Sequence, residues 1–249
     1  MNTLFNAILY YSRIPIPFRV HFSDKIMSRA LKYLPLVGLM VGAVGWATLW
    51  ASSLFLPQNV ATVVAICAMV LTTGALHEDG FADFCDGFGG GYTKESTLRI
   101  MKDSHIGCYG VIGLILVFLL RYTLLGALEM GHEAAAVMIL AQGASRFAPV
   151  VMVRTSTYAR SENSKTPQSA LGISMWGVVT AMVIALAPLA ILGWPFALSY
   201  IGVMAVVFAL FRGYIHSRIK GFTGDTLGAL QIIGEIIFYV TFMGAKNLL

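Results

Sequence analysis

Residues 106–128 read IGCYGVIGLILVFLLRYTLLGAL, an apolar run with a single charged side chain, Arg121. About 20 apolar residues at 1.5 Å rise per residue cross the ~30 Å hydrocarbon layer of a bilayer, so this run is predicted to be a transmembrane helix. Comparable runs recur along the chain, and together they predict seven spans. The other six are 33–56, 58–76, 134–153, 172–192, 195–212 and 227–244.

The composition favours the same fold class. Apolar residues make up 57% of the 249 residues and charged residues 12%, whereas a soluble domain carries about 25% charged residues. A soluble fold is therefore excluded, and we expect an all-α, polytopic integral membrane helix bundle that forms one domain over residues 1–249. Segment 1–32 is interrupted by Arg13, Pro15 and Pro17, so it is predicted to lie in the interface as a short helix.

Lysine and arginine are distributed unevenly over this predicted topology. Of 17 such residues, 14 fall in four segments that share one side of a seven-span chain, two lie within spans, and Lys246 alone is on the other side. Positively charged loops stay on the cytoplasmic side, so the net charge of +5 indicates orientation in the cell (inner) membrane and not binding to nucleic acid. The four cytoplasmic segments are 1–32, 77–105, 154–171 and 212–226.

Segment 77–105 begins at His77 with the acidic run HEDGFADFCDG. In a helix, Asp79, Asp83 and Asp86 stand at i, i+4 and i+7 and share one face, where three like charges repel one another. In proteins, Mg²⁺ is bound by a few carboxylates together with substrate phosphates. The spacing therefore predicts a catalytic site for one or two Mg²⁺ ions and a phosphorylated substrate.

The rest of this segment offers further candidates. Thr93 is predicted to cap a short helix over 94–103, at whose end Asp103 is assigned to the metal. Arg99 or Lys102 is assigned to the charge of a phosphate. The alternative is a solvated acidic loop followed by an ordinary juxtamembrane helix, in which Arg99 and Lys102 form surface ion pairs.

The last cytoplasmic segment reads GFTGDTLG from Gly221 to Gly228. A glycine-rich turn that enters a helix presents free N–H groups, which suits a phosphate. Gly224 and Asp225 are therefore predicted to bind substrate. Asp225 is also a candidate metal ligand. Helix capping by Thr223 or Asp225 is the alternative.

Three ionisable residues, Arg121, Arg146 and Glu235, fall within predicted spans. Such groups are costly in hydrocarbon and face a partner or a cavity. Arg146 is predicted to contact a substrate phosphate, and a structural Arg–Glu pair inside the bundle is the alternative. His77 adjoins the carboxylates and is a candidate base for a hydroxyl nucleophile, while a histidine bonded to backbone at a helix end is the alternative.

With these motifs in view, the chain resembles the cobalamin synthase family, the adenosylcobinamide-GDP ribazoletransferases, nearly from end to end. The run His-x-Asp-Gly-x-Ala-Asp-x-x-Asp-Gly, which starts at His77, is highly specific to that family. One departure is His105, because the family pattern usually has arginine after Asp-Ser. Other matching motifs are Arg13-Ile14-Pro15-Ile16-Pro17, Pro35-Leu36-Val37-Gly38, Met101-Lys102-Asp103-Ser104 and Thr223-Gly224-Asp225.

The resemblance implies a Mg²⁺-dependent membrane enzyme. It also implies the reaction: a hydroxyl of α-ribazole, or of its 5′-phosphate, is expected to attack the cobinamide-linked phosphorus of adenosylcobinamide-GDP and to expel GMP. A diphosphate substrate agrees with an acidic site, because its charge must be neutralised and its geometry fixed for in-line attack. Lys102 and Arg146 are expected to balance charge on the transferring group or on GMP. The residues expected to hold Mg²⁺ are Asp79, Asp83 and Asp86 with Asp103 or Asp225.

Two other classes of protein share parts of this pattern. The CDP-alcohol phosphotransferases are membrane bundles with a Mg²⁺-binding Asp-x-x-Asp-Gly-x-x-Ala-Arg motif, but no Ala-Arg follows Asp86-Gly87 here. A cation transporter is the non-enzymatic alternative, although transporter sites lie at mid-membrane and often show inverted repeats. The sequence leaves open which acceptor is used and whether the chain forms a homo-oligomer.

Overall fold

The computed structural model describes residues 2–160 and 172–248. Within these ranges the chain is built of helices, and the predicted all-α fold is confirmed. In chain order they are α1 (Asn2–Tyr11), α2 (Asp24–Ala30), α3 (Leu34–Ser53), α4 (Gln58–Thr73), α5 (Leu76–Gly90), α6 (Lys94–Ile100), α7 (Cys108–Gly126), α8 (His132–Ser145), α9 (Phe147–Thr155), α10 (Met175–Leu186), α11 (Trp194–Ile219) and α12 (Gly224–Leu248), with 3₁₀ turns at Leu31–Tyr33 and Ala187–Leu192.

Six helical stretches in the described ranges are long and apolar enough to cross a membrane, and each overlaps a predicted span. Apolar side chains such as Leu119 of α7 and Leu210 of α11 are exposed on the outside of the bundle, as expected where lipid replaces water. The prediction of a polytopic membrane bundle is confirmed. The six stretches are Ile26–Ser53, Cys108–Gly126, His132–Thr155, Met175–Leu192, Trp194–Ile219 and Gly224–Lys246.

The predicted span 58–76 corresponds to a bent pair of helices. Helix α4 has 16 residues and ends at Thr73, and α5 leaves it at an angle of 89°. The bend arises at Gly74 and Ala75, whose φ values of 65° and 59° belong to the left-handed region, which a right-handed helix excludes. Helix α5, which carries the acidic run, is therefore a separate helix and not a continuation of α4.

The N-terminal segment contains the predicted short helix and packs over this bend. The N–H group of Arg13 donates to the carbonyl oxygen of Thr72 at 2.7 Å. The Arg13 side chain lies against Gly74, where a Cβ atom would overlap it. Helices α1 and α2 are therefore held next to the point where α5 begins.

The connecting segments predicted to share one side are in contact with one another. The N–H group of Ala159 donates to the carbonyl oxygen of Phe222 at 2.8 Å, and the guanidinium group of Arg218 donates to the carbonyl oxygen of Gly91. These bonds join the chain after α9, the chain before α12 and the turn after α5 at one end of the bundle. Residues 161–171 of the third predicted segment lie outside the described ranges.

Candidate active site

Helix α5, which carries the acidic run, crosses the start of α12 at short range. A Cβ atom at Gly80 would lie 3.0 Å from the Cα atom of Asp225, and one at Gly228 would lie 3.1 Å from the carbonyl oxygen of His77. The two glycines therefore permit the close crossing of the two helices. The crossing places the acidic face of α5 next to Asp225.

Four carboxylates are grouped around Asp83 at this crossing, because those of Asp79, Asp86 and Asp225 all lie within electrostatic reach of it. Helix α5 is not one of the six spanning stretches, and Asp83 is only partly buried. Burial, and then the charges of Asp225, Asp79 and Asp86, raises the pKa of Asp83 to about 7. The acidic face expected from the spacing is thus present, and its negative charge is not balanced from within the group.

Asp86 has a second task, because it anchors the end of α5 to the start of α7. One of its carboxylate oxygens accepts a hydrogen bond from the N–H group of Gly107 at 2.7 Å, and the other accepts one from Gly110 at 2.8 Å. A Cβ atom at either glycine would lie 2.5 Å from an Asp86 oxygen. The N–H groups at a helix start are suited to hold a carboxylate.

Asp225 is paired with a cation from a distant part of the chain. The guanidinium group of Arg160, in the segment after α9, donates to the Asp225 carboxylate at 2.7 Å. It also lies 3.5 Å from the carbonyl oxygen of Met101. Sequence reasoning counted Arg160 only for topology, and no local pattern distinguishes it from other loop arginines.

Thr223 caps the first turn of α12. Its hydroxyl oxygen accepts from the N–H group of Thr226 at 3.3 Å, and the Thr226 hydroxyl oxygen accepts from the Thr223 N–H group at 2.9 Å. Capping by Thr223, the alternative to phosphate binding, is thus present. A Cβ atom at Gly224 would meet no atom within 4 Å, so this turn is open on one side, and the substrate role of Gly224 stays a prediction.

The donor set fits the chemistry of Mg²⁺ but does not form a closed cage. Carboxylate oxygens are the ligands that Mg²⁺ prefers. Across residues 2–160 and 172–248, no three His, Cys, Asp or Glu side chains are arranged to hold a metal ion as they stand. An ion held by one or two carboxylates and completed by phosphate oxygens and water is compatible with this arrangement. The metal assignment therefore stays a prediction.

Asp103 and Lys102 lie in the exposed loop before α7, and the structure does not bring Asp103 into contact with the four carboxylates. The Asp103 carboxylate, 58% exposed, accepts hydrogen bonds from the imidazole and the N–H group of His105 at 2.7 and 3.0 Å. These bonds lower the pKa of Asp103. The cap that Thr93 was predicted to form on α6 is confirmed, and the metal and phosphate roles of this loop stay predictions.

A buried ionic group lies next to the acidic face. The Arg121 guanidinium group donates to Glu78 at 2.7 Å and to Glu235 at 2.6 Å, and all three side chains are buried. The structural alternative considered for Arg121 and Glu235 is therefore confirmed. Glu78, which joins α5 to this group, was not distinguished from the neighbouring acidic residues by sequence.

Arg146 belongs to the same buried region. It is 1% exposed, and its guanidinium group donates to the backbone and side-chain oxygens of Gln142, both at 2.7 Å. The charges of Glu235 and Glu78 act on Arg146. Arg146 therefore helps Arg121 to balance these two buried carboxylates. Its predicted contact with a substrate phosphate stays a prediction.

A cavity of about 250 Å³ lies beside the carboxylates, between α1, α2, α5 and the start of α12. His77 is buried, and its Nε2 atom has no hydrogen-bond partner within the described part of the chain. The opposite wall is apolar and aromatic, and sequence reasoning did not assign it. The polar wall is formed by His77, Asp79, Arg160 and Asp225.

Comparison with known proteins gives one family. A sequence profile described as cobalamin-5-phosphate synthase matches residues 3–243. Similar proteins include three adenosylcobinamide-GDP ribazoletransferases. The one from Ralstonia nicotianae is 41% identical over 95% of this chain and 92% of its own length. Those from Ralstonia pickettii and Shewanella frigidimarina are 40% and 37% identical, over 95% and 98% of this chain and 93% and 94% of their own lengths. No solved structure matches the chain.

Proposed function

The chain belongs to the cobalamin-5-phosphate synthase family, and on that premise we propose that it joins α-ribazole, or its 5′-phosphate, to adenosylcobinamide-GDP with release of GMP in a Mg²⁺-dependent reaction. It is a multi-pass membrane enzyme of cobalamin biosynthesis. The products are adenosylcobalamin or its 5′-phosphate. The uneven distribution of lysine and arginine favours the inner membrane, with the active site on the cytoplasmic face.

One observation carries the proposal: the four carboxylates at the crossing of α5 and α12 have only Arg160 as a described cationic partner. A diphosphate and a divalent cation brought together would complete such a site. When bound, Mg²⁺ neutralises charge on the phosphates and favours displacement at phosphorus. Asp79, Asp83 and Asp225 are the residues best placed to hold it, with Asp86 fixed behind them by its bonds to α7.

The proposed reaction forms one oxygen–phosphorus bond and breaks another. The acceptor hydroxyl oxygen attacks the phosphorus linked to cobinamide, the bond from that phosphorus to the GMP oxygen breaks, and the hydroxyl proton passes to a base. His77 is proposed as that base, since it lines the cavity together with Asp79 and its Nε2 atom has no hydrogen-bond partner among the described residues. GMP leaves with the negative charge of the broken bond.

Cationic side chains are proposed to stabilise the charge that develops on the phosphates. Arg160 is the best placed of them, because it already contacts Asp225 in the cavity wall. The carbonyl oxygen of Met101 lies 3.5 Å from the same guanidinium group, so Lys102 and Asp103 follow directly after a residue of the site. They are proposed to contact the donor diphosphate or its metal ion.

The test is release of GMP by the purified protein in detergent. With adenosylcobinamide-GDP, α-ribazole and Mg²⁺ we expect turnover, and omission of Mg²⁺ or of the acceptor abolishes it. Asp83→Asn is expected to lower turnover by about 100-fold or more, whereas Glu95→Gln, an acidic residue of α6 away from the cavity wall, keeps it. Running the assay with α-ribazole and with its 5′-phosphate identifies the preferred acceptor. Absence of GMP release with either acceptor contradicts the proposal and favours a transporter.

A further inference from the structure

We infer that the cavity between the N-terminal helices and α5 is the binding site of the acceptor nucleoside, with its aromatic base against α1 and α2 and its hydroxyl group next to His77 and Asp79. The inference rests on the proposed function, because it assigns one of the two proposed substrates to a surface of the same site.

The volume of the cavity separates the two substrates. At about 250 Å³ it is slightly smaller than a usual small-molecule pocket, roughly 300–1,000 Å³. A nucleoside is of this size. A corrinoid with its amide side chains and an attached GDP is several times larger, so only the acceptor fits inside. The bulk of the donor must therefore approach from the open side.

The apolar and aromatic wall of the cavity indicates which nucleoside base it can bind. Tyr10 and Tyr11 of α1 pack edge to face with ring centroids 4.9 Å apart, and Tyr158 adds a third aromatic ring to the wall. Flat aromatic bases bind by contact with such rings. Other apolar side chains in the wall include Met27, Leu31, Leu34, Leu76, Val153 and Leu227.

The apolar lining also discriminates between bases. Guanine carries N–H and C=O groups along its edge, and burying them against Met27, Leu31 and Val153 would leave them without partners, which is costly. The benzimidazole base of a ribazole has no such groups on its outer edge. The cavity is therefore suited to the acceptor base and not to the guanine of the donor.

The polar end sets the orientation of the acceptor. His77 is 7% exposed and is one of the residues that line the cavity. Asp79 and Asp225 lie in the same wall. A nucleoside with its base among the tyrosines thus places a ribose hydroxyl beside the carboxylates that are proposed to hold the metal.

The experiment measures the two Michaelis constants separately. We expect Tyr11→Ala to raise KM for α-ribazole by about 10-fold, the loss of one aromatic contact, with KM for adenosylcobinamide-GDP unchanged and with activity largely kept in Tyr11→Phe. Tyr92→Ala is the matched control, since Tyr92 is 91% exposed and lies outside the cavity wall. A rise in KM for the donor alone, or for both substrates equally, would overturn the inference while leaving GMP release by the wild-type protein intact.

A second measurement does not depend on the folding of Tyr11→Ala. Free 5,6-dimethylbenzimidazole is expected to compete with α-ribazole in the wild-type enzyme, and guanosine is not. Tyr10→Ala, which alters a half-exposed ring of the same wall, is expected to weaken this competition. Competition by guanosine against the acceptor, with none by the benzimidazole, contradicts the assignment.

Discussion

Two groups of acidic side chains lie next to each other where α5 packs against α12, and their charges are balanced in opposite ways. Glu78 faces inward and, with Glu235, is bonded to Arg121. Asp79, one residue later, lies in the wall of the cavity with Asp225. The buried group contains its own cations, whereas the group at the cavity has one arginine for four carboxylates.

The difference distinguishes a structural use of charge from a catalytic one. A buried carboxylate must be neutralised by the protein itself, because neither water nor ions reach it. A carboxylate at an open cavity can be left without a partner if a metal ion and a phosphorylated substrate arrive together. The buried group, Arg121 with Glu78 and Glu235, fixes α5 against α7 and α12. The carboxylates at the cavity therefore keep their positions without further contacts among themselves.

The largest effect on stability is expected from disrupting the buried group of Arg121, Glu78 and Glu235. Arg121→Met leaves the carboxylates of Glu78 and Glu235 buried without their main partner, and we expect the free energy of unfolding in detergent to fall by about 3–5 kcal/mol. Denaturant unfolding followed by tryptophan fluorescence measures it. Adding Glu78→Gln and Glu235→Gln to the same variant is expected to restore most of the loss. A single variant as stable as the wild type contradicts the role given to Arg121.

A smaller loss of stability is expected at Asp86, a carboxylate of the cavity group that also anchors α5 to α7. In Asp86→Asn the side-chain amide meets the N–H group of Gly107 or Gly110, so one hydrogen bond is lost and two donors face each other. The cost is about 1–3 kcal/mol. Asp79→Asn is the control, because no hydrogen bond to its carboxylate is described, and it is expected to unfold like the wild type. Equal destabilisation by the two changes would argue against the anchoring role of Asp86.

The carboxylates at the cavity are expected to make stability depend modestly on pH when metal ions are removed with EDTA. The pKa of Asp83 is raised from about 3.8 to about 7 on folding, so between these values the folded state binds more protons and the free energy of unfolding falls as pH rises. Asp83→Asn lacks this slope. Its unfolding temperature relative to the wild type is therefore expected to rise from pH 4 to pH 8, by about 2 °C or less for a partly exposed group. A constant difference over that range contradicts the raised pKa.

The smallest effect concerns an exposed ion pair at the other end of the bundle. Lys246 contacts Glu133 at 2.6 Å, with both side chains about half exposed. Exposed pairs contribute little, so Lys246→Ala is expected to leave the unfolding temperature and GMP release unchanged. A clear loss of stability would show that burial does not separate the important charges from the unimportant ones.

The fold and the acidic face were predictable because both depend on local repetition. Apolar length gave six of the spans, and the i, i+4 spacing of Asp79 and Asp83 gave the shared face within α5. The bend before α5 was not predictable in the same way. It depends on Gly74 and Ala75, both in a left-handed conformation. The glycine is a signal for the end of α4, but alanine carries no signal for a second left-handed residue.

Contacts between distant segments were the other limit. Arg160 reaches Asp225 from 65 positions earlier in the chain, and nothing in its own neighbourhood indicates a partner. The aromatic wall is similar, since Tyr10 and Tyr11 lie in a helix whose only visible property in the sequence is its amphipathic character. Glu78 and Asp79 are chemically alike, and only the packing of α5 decides which one faces Arg121.

The central claim is that the acidic face of α5 is completed by a divalent cation that arrives from solution. Its most direct test is titration of the purified protein with Mg²⁺ in the presence of adenosylcobinamide-GDP, followed by the unfolding temperature, for the wild type, Asp83→Asn and Glu95→Gln. We expect stabilisation that saturates with Mg²⁺ in the wild type and in Glu95→Gln, as binding to the folded state requires, and none in Asp83→Asn. Equal stabilisation of all three proteins would place the cation elsewhere and contradict the account.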